Sequence, residues 1–261
     1  MGKLFKTKNK EKKAPTNQNE VLVGGKHSFL FTEAFKSLRT NVQFSLPKEG
    51  CRKIMVTSSV AGEGKSTVST HLASSFAEMG SSVLIIDCDL RRGKTHRLFE
   101  TKRSPGLANV LGGFSDVTSA VQKTKIENLF LLPAGVVPPN PAELLASNRM
   151  SLLIEEFSKS FDYIILDTTP ISVVSDALSL VNHVDGILVV ARQNYTDETS
   201  LDRCIHNLEF VEAKILGIVF NDVIDSTNGR YGRYSKYSKY GRYGYYKGGY
   251  YIASRTEDSN S

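Results

Sequence analysis

Ser59-Val60-Ala61-Gly62-Glu63-Gly64-Lys65-Ser66 is the stretch of this 261-residue chain whose residue types and spacing point most directly to chemistry. It follows the pattern GxxxxGK[ST], with Ser59 in place of the first glycine. Gly62 and Gly64 let backbone N–H groups approach anionic oxygens closely. A helix opening near Ser66 would aim its N-terminal N–H groups and positive dipole end at the same anion. Lys65 then reaches the β- and γ-phosphates of a nucleotide, and the Ser66 hydroxyl offers a hard oxygen to Mg²⁺. Glu63 and Thr67 complete the candidate nucleotide contacts. The bland alternative is an incidental Gly-rich turn; an apolar run before the loop and a helical pattern after it argue against that.

Two more apolar runs end in carboxylates. Leu84-Ile85-Ile86 leads into Asp87-Cys88-Asp89-Leu90-Arg91, and Ile164-Ile165-Leu166 into Asp167-Thr168-Thr169-Pro170. Mg²⁺ takes hard oxygen ligands beside phosphates. Alone, each Asp would be a capping or turn residue. Two of them after apolar runs, in a chain that also carries a phosphate loop, make Asp87 and Asp167 candidate cation partners with Ser66.

The elements that must position these groups show the same alternation. Lys53–Ser58, Ser82–Asp87, Leu129–Leu132, Tyr163–Asp167, Gly186–Ala191 and Ile215–Asn221 are short apolar runs expected as buried strands. Between them lie helical patterns over Ser66–Met79, Pro141–Phe161 in two pieces, Val173–Val181 and Thr199–Glu212. Such a chain is an α/β protein, a mostly parallel sheet flanked by helices on both faces, with ligands at the carboxyl ends of its strands. An amphipathic helix is expected upstream from Thr32 as N-cap. At about 100° per residue it places Ala34, Phe35, Leu38 and Val42 on one face and Glu33, Lys36 and Arg39 on the other.

The ends differ from the body. Residues 1–30 form a Lys-rich, polar arm expected to be flexible, 31–222 the folded domain, and 223–261 a tail expected to be disordered. From Gly229 the tail runs GRY, GRY, SKY, SKY, GRY, then GYYKGGYY. It holds nine of the eleven tyrosines: Tyr231, Tyr234, Tyr237, Tyr240, Tyr243, Tyr245, Tyr246, Tyr250 and Tyr251. The net charge of +6 divides as +4 in residues 1–20, +3 in 221–261 and −1 elsewhere. The near-neutral body argues against nucleic acid as a partner of the fold, and the basic ends suit acidic lipid or phosphate. Three cysteines without a CxxC pair argue against a disulfide scaffold or structural zinc and fit a reducing compartment. No apolar run approaches the roughly 20 residues of a membrane helix. The lysines at the start precede no apolar stretch, so a secretory signal is not expected.

Taken together, AGEGKS at Ala61–Ser66, LIIDCDLR at Leu84–Arg91, IILDTTP at Ile164–Pro170 and the tyrosine cluster resemble the bacterial tyrosine kinases (BY-kinases) that regulate capsule and exopolysaccharide synthesis. The likeness covers roughly residues 30–261. Leu90-Arg91-Arg92 with His96, and Pro138–Leu145, also look like stretches of that family. Ala61 and Thr169 stand where the family has proline, at positions that shape backbone. The resemblance implies a P-loop NTPase-like kinase using ATP and Mg²⁺, with Lys65 on the phosphates and Ser66 and Asp167 on the cation. It implies Asp87 as acceptor of the phenol proton, with Asp89 second, and autophosphorylation at the nine tail tyrosines. Arg91 is weighed equally as a phosphate contact or an ion-pair partner. Glu33, Lys36, Arg39 and Asn41 resemble the family's oligomerisation signature, which implies a homo-oligomer. The expected partners are a membrane-embedded activator or chain-length regulator and a cognate tyrosine phosphatase, with the chain cytoplasmic at the inner face of the membrane through that activator.

Two rival readings have different signatures. A ParA/MinD-like positioning ATPase shares the loop but carries a second lysine early in it, where this chain has Val60. A nucleic-acid-binding module could use the alternating basic residues and tyrosines of the tail as a stacking platform. It would need no phosphate loop. Asn221, ending the last expected strand, is weighed as a contact to a nucleotide base.

Overall fold

Runs such as KIMVTS and YIILD have β-branched and apolar residues on both pleat faces, so they are stable only where both faces are covered. They are so covered in the computed structural model of the chain, which describes residues 23–25 and 27–223. The basic arm up to residue 22 and the nine tail tyrosines lie outside the described residues. The strands are β1 (Arg52–Ser58), β2 (Val83–Asp87), β3 (Gln122–Lys123), β4 (Leu129–Leu132), β5 (Tyr163–Asp167), β6 (Gly186–Arg192) and β7 (Ile215–Asn221). They form one sheet in the order β3-β4-β2-β5-β1-β6-β7. Every pairing is parallel except that of β3 with β4, a two-residue edge strand with no apolar run to announce it.

The period of two divides the core. On one face Ile54, Val56, Ile85 and Ile165 pack against Val68, Leu72 and Phe76 of α2 (Lys65–Ala77). On the other, Met55, Leu84, Ile86 and Leu166 meet α7 (Asn148–Ser158) and α8 (Glu198–Phe210). Each fully buried Ile or Leu contributes about 1.5–3 kcal/mol. Short helices α3 (Thr95–Leu98), α4 (Leu107–Leu111) and α5 (Val117–Ala120) escaped the periodicity because four or five residues do not complete an amphipathic repeat. The 141–161 stretch does break in two, into α6 (Pro141–Leu145) and α7.

The first helix, α1 (Phe29–Ser45), begins a turn earlier than expected. Ser28 is the N-cap, its hydroxyl accepting from the Phe31 N–H at 3.2 Å, while the Thr32 hydroxyl donates back to the Ser28 carbonyl. Phe35, Leu38 and Val42 face the body, but Ala34 is exposed. Arg39 corrects the outward assignment: its Nη1 donates to the Ser75 carbonyl at 2.6 Å and to the Ser75 hydroxyl at 3.2 Å, tying α1 to α2. Glu33 and Lys36 pair with each other at 2.8 Å on the outer side, and Asn41 is exposed. The helix expected over 173–181 is instead a 3₁₀ helix, Ser175–His183. Val174 is extended, so winding starts only beyond the two β-branched residues.

Candidate functional site

The 59–66 loop joins the buried end of β1 to α2 at the carboxyl edge of the sheet. Gly62 and Gly64 have φ of +90° and +96°, the left-handed region that glycine enters without strain. A Cβ on Gly64 would sit 2.0 Å from the Asn221 Nδ2, so side-chain-free backbone is needed there twice over. Gly64 is also the N-cap of α2 and supplies no side-chain cap. The orphan N–H groups of the first turn therefore suit an external anion. A cleft of about 520 Å³ opens over this point. Ala61, Gly62, Gly64, Lys65, Ser66 and Thr67 line it on the loop side; Asp89, Arg91, Arg92 and Lys94 face them, with Thr169 and Pro170 along the wall.

Glu63 does not face the cleft. Its carboxylate is buried, with Oε1 accepting from the Ser59 hydroxyl at 2.8 Å and from the Thr196 hydroxyl, and Oε2 accepting from the Val60 N–H at 2.8 Å. The carboxylate holds the loop from within, which leaves the Glu63 backbone as the part of this residue free to meet phosphate. Asn221 likewise spends its amide on the loop, donating to the Glu63 carbonyl at 2.9 Å. Arg91 resolves to an ion pair, with Nε and Nη2 donating to the two oxygens of the buried Asp176 at 2.7 and 3.2 Å. It lines the cleft while anchored to the 175–183 segment.

Asp87 and Asp167 end adjacent parallel strands and are register partners. Both are buried. Asp87 Oδ2 accepts from the Thr95 hydroxyl at 2.7 Å and the Thr95 N–H at 3.2 Å, and Oδ1 from the Asp89 N–H at 3.2 Å. Gly93 passes so close that a Cβ would stand 2.6 Å from Oδ2. Burial, and then the Asp167 charge, push the Asp87 pKa up to about 8. Burial raises Asp167 to about 6, while the Lys65 ammonium and hydrogen bonds from Ser66 and Ser69 hold it down. Asp167 Oδ1 is buried with no hydrogen-bond partner. An orphaned carboxylate oxygen beside Lys65 and Ser66 is the observation that fits a hard cation carrying nucleotide phosphates. Asp89 lies in the cleft itself, its Oδ1 accepting from the Arg92 N–H at 2.8 Å.

A pH dependence follows. Cation binding requires the carboxylates deprotonated, so the affinity for Mg-ADP should rise from pH 6 to pH 8, with proton release on binding. The sign for stability is opposite. Without cation, a carboxyl whose folded pKa is raised holds protons more tightly folded than unfolded, so stability falls as pH rises from about 4 through about 8, by roughly 1.4 kcal/mol per pH unit per proton. Titration calorimetry in two buffers of different ionisation enthalpy measures the proton count; a pH-independent affinity without proton release would remove the pair from the cation site.

Thr95, Asp176 and Thr196 shape the site through Asp87, Arg91 and Glu63, and Tyr195 and Arg192 through the carbonyls of Ala61 and Gly62; no motif pointed to these roles. Thr196 reaches Glu63 across 133 positions of sequence. No local pattern distinguishes such a threonine from any other in a polar turn.

With this geometry in place, the similarities to known proteins are specific. Residues 51–219 match the family model described as AAA domain. The tyrosine-protein kinase YwqD of Bacillus subtilis is 36% identical over 204 residues, 78% of this chain and 86% of that protein. The tyrosine-protein kinase CpsD of Streptococcus agalactiae serotype Ia is 38% identical over 74% of this chain and 83% of its own length. The tyrosine-protein kinase wzc of Salmonella typhi is 38% identical, but this chain spans only 29% of it. Among solved structures, the kinase domain of Escherichia coli tyrosine kinase ETK superposes with a TM-score of 0.72 at 34% identity, covering 77% of this chain and 78% of that one. MinD from Pyrococcus horikoshii shares the fold at 24% identity and a TM-score of 0.56. The loop, the paired strand-end carboxylates and the relatives over three quarters of the sequence agree: this chain belongs to the bacterial tyrosine-protein kinases.

Proposed function

We propose that the chain transfers the γ-phosphate of ATP to tyrosine hydroxyls, its own tail included, in the regulation of capsular or exopolysaccharide synthesis. The observation that carries this is the cleft, which sets the loop, Lys65 and Ser66 opposite Asp89, with the orphaned oxygen of the buried Asp167 beside Lys65 and Ser66. Ser66, Asp167 and Asp87 would hold Mg²⁺, which when bound supplies charge neutralisation on the phosphates. The loop amides and Lys65 bind and orient the γ-phosphate. The attacking phenol forms the new P–O bond as the bond to ADP breaks, and its proton, with an ordinary pKa near 10, needs a carboxylate.

Two residues are candidates for that carboxylate. Asp87 has the raised pKa, but both its oxygens are engaged by Thr95 and the Asp89 N–H. Asp89 lies in the cleft and needs no rearrangement. Proton acceptance by Asp87 requires the 87–95 turn to release it. Asp87→Asn should cut tyrosine phosphorylation by about 10²-fold or more while changing ATP affinity much less, as measured by tail phosphorylation beside fluorescent-nucleotide titration. Near-normal transfer in that variant would assign the proton to Asp89.

The basic arm and tail suit a membrane surface, where we place the chain on the cytoplasmic face beside a membrane-embedded activator, with a tyrosine phosphatase reversing its modification. Among the described residues no helix is long and apolar enough to cross a membrane. For self-assembly, the exposed Glu33, Lys36 and Asn41 are the contact groups of α1, because Arg39 is committed to Ser75. Lys36→Glu should shift the oligomer to monomer by light scattering without loss of helix; an unchanged mass for an oligomeric wild type would dispose of that surface.

A further inference from the structure

Two tyrosines fall among the described residues, and their settings are opposite. Tyr163 is 3% exposed and stacks on Phe76 with ring centroids 3.9 Å apart. Tyr195, between β6 and α8, is 54% exposed. Its hydroxyl donates to the Ala61 carbonyl at 3.0 Å. The same oxygen fills the space beside Gly62, where a Cβ would lie 3.1 Å from it. The Arg192 guanidinium stands 5.4 Å from the Tyr195 ring centroid. It pairs with Asp222 at 2.7 Å and points Nη1 at the Gly62 carbonyl at 3.5 Å. The nucleotide loop is therefore held twice: from inside by the Glu63 carboxylate, and from outside by the Tyr195 phenol acting on the residues that form its left-handed turn.

We infer that Tyr195 is itself a phosphate acceptor, and that its phosphorylation unfastens the loop and weakens nucleotide binding. The inference rests on the tyrosine-kinase reading. The step is a transfer between copies: Tyr195 Oη attacks the γ-phosphorus of ATP held by a second copy, the γ-phosphorus bond to the β,γ-bridging oxygen breaks, and ADP leaves. The phenol proton passes to a carboxylate of that second copy. The product oxygen has no proton to give the Ala61 carbonyl, so the 3.0 Å contact changes from donor–acceptor to acceptor–acceptor. About −1.5 to −2 of charge arrives beside a loop whose backbone must hold a polyphosphate. Arg192 has a charged fork within reach of the new group and can exchange Asp222 for it, since guanidinium pairs bidentately with phosphate. Both changes remove the bond that fastens the phenol to the Ala61 carbonyl.

The experiment uses the full chain with the nine tail tyrosines replaced by Phe, incubated with Mg-ATP and examined by mass spectrometry. Phosphate is expected on the peptide containing Tyr195. In parallel, the full chain with phosphotyrosine encoded at position 195 is titrated with fluorescent ADP and Mg²⁺. Affinity should fall at least about tenfold from the charge, whereas Tyr195→Phe, which loses only the donor, should fall about two- to fivefold. Unchanged affinity in the phosphotyrosine protein would overturn the switch. An unmodified Tyr195 in a preparation whose wild type phosphorylates its tail would overturn the acceptor role and leave the kinase reading standing. Phosphotyrosine at no position of the wild type would instead sink the kinase reading.

Discussion

Lys65→Met should abolish phosphoryl transfer, with a loss of roughly 10²–10³-fold or more, the scale of removing one preorganised charge-stabilising donor. Lys65 is the first residue of α2 and only 9% exposed, so its ammonium acts on the phosphates from a site with little water to screen it. It also holds down the pKa of Asp167. Its removal should therefore weaken cation binding as well as transfer, and shift the pH dependence of Mg-ADP affinity to higher pH. The fold should survive. Methionine has a similar unbranched stem and nearly the same helix propensity, and the α2 core residues Val68, Leu72 and Phe76 are untouched. The measurement is tail phosphotyrosine in purified Lys65→Met, with thermal unfolding as the control for structure. A folded variant that still acquires phosphotyrosine when alone would show that the 59–66 loop is not where the transfer occurs.

Replacing all nine tail tyrosines by Phe should cut phosphate incorporation from several groups per chain to at most one, at Tyr195, while ATP binding persists. Residues 229–251 contain six Lys or Arg, nine Tyr and no Asp or Glu, so the segment begins at +6. At about −1.5 to −2 per phosphate, full modification would take it to roughly −8 to −12. If the tail is the substrate as proposed, the positive charge of the unmodified segment would favour its approach to carboxylates and nucleotide phosphates, and the charge of the modified segment would oppose it. Nine acceptors would give a graded change of charge, and with it an expected graded weakening of self-association. Phenylalanine keeps the positive charge and the aromatic rings, so a passive binding role for the segment would survive the substitution. Phosphate per chain, counted by intact-protein mass spectrometry, and ATP-dependent oligomer size, followed by light scattering, are the two measurements. Incorporation as heavy as in the wild type would place the substrate tyrosines elsewhere, and an ATP response that persists in the Phe variant would end the switch.

Much of this was legible in the sequence because it is local. The six apolar runs became strands within a residue or two of their expected ends, since a run that is apolar on both pleat faces has few other stable fates. The phosphate loop was legible because glycine, lysine and serine at that spacing serve one backbone geometry, and the φ values of Gly62 and Gly64 bear that geometry out. Other features were decided only by the tertiary structure. Asp87 and Asp167 face each other because β2 and β5 are neighbours in this register, and strand order is not written in any spacing. Glu63 looked like a loop residue open to ligand; it turns inward because Ser59, Val60 and Thr196 satisfy its charge there. Arg39 had the periodicity of an outer face, yet its long side chain reaches back to the Ser75 carbonyl, which helical angle alone cannot show. Tyr195 and Arg192 are more than 125 residues from the loop they brace. Motif and period record what a residue does to its own backbone, whereas hydrogen bonds between distant loops depend on which strand ends the folded sheet sets side by side.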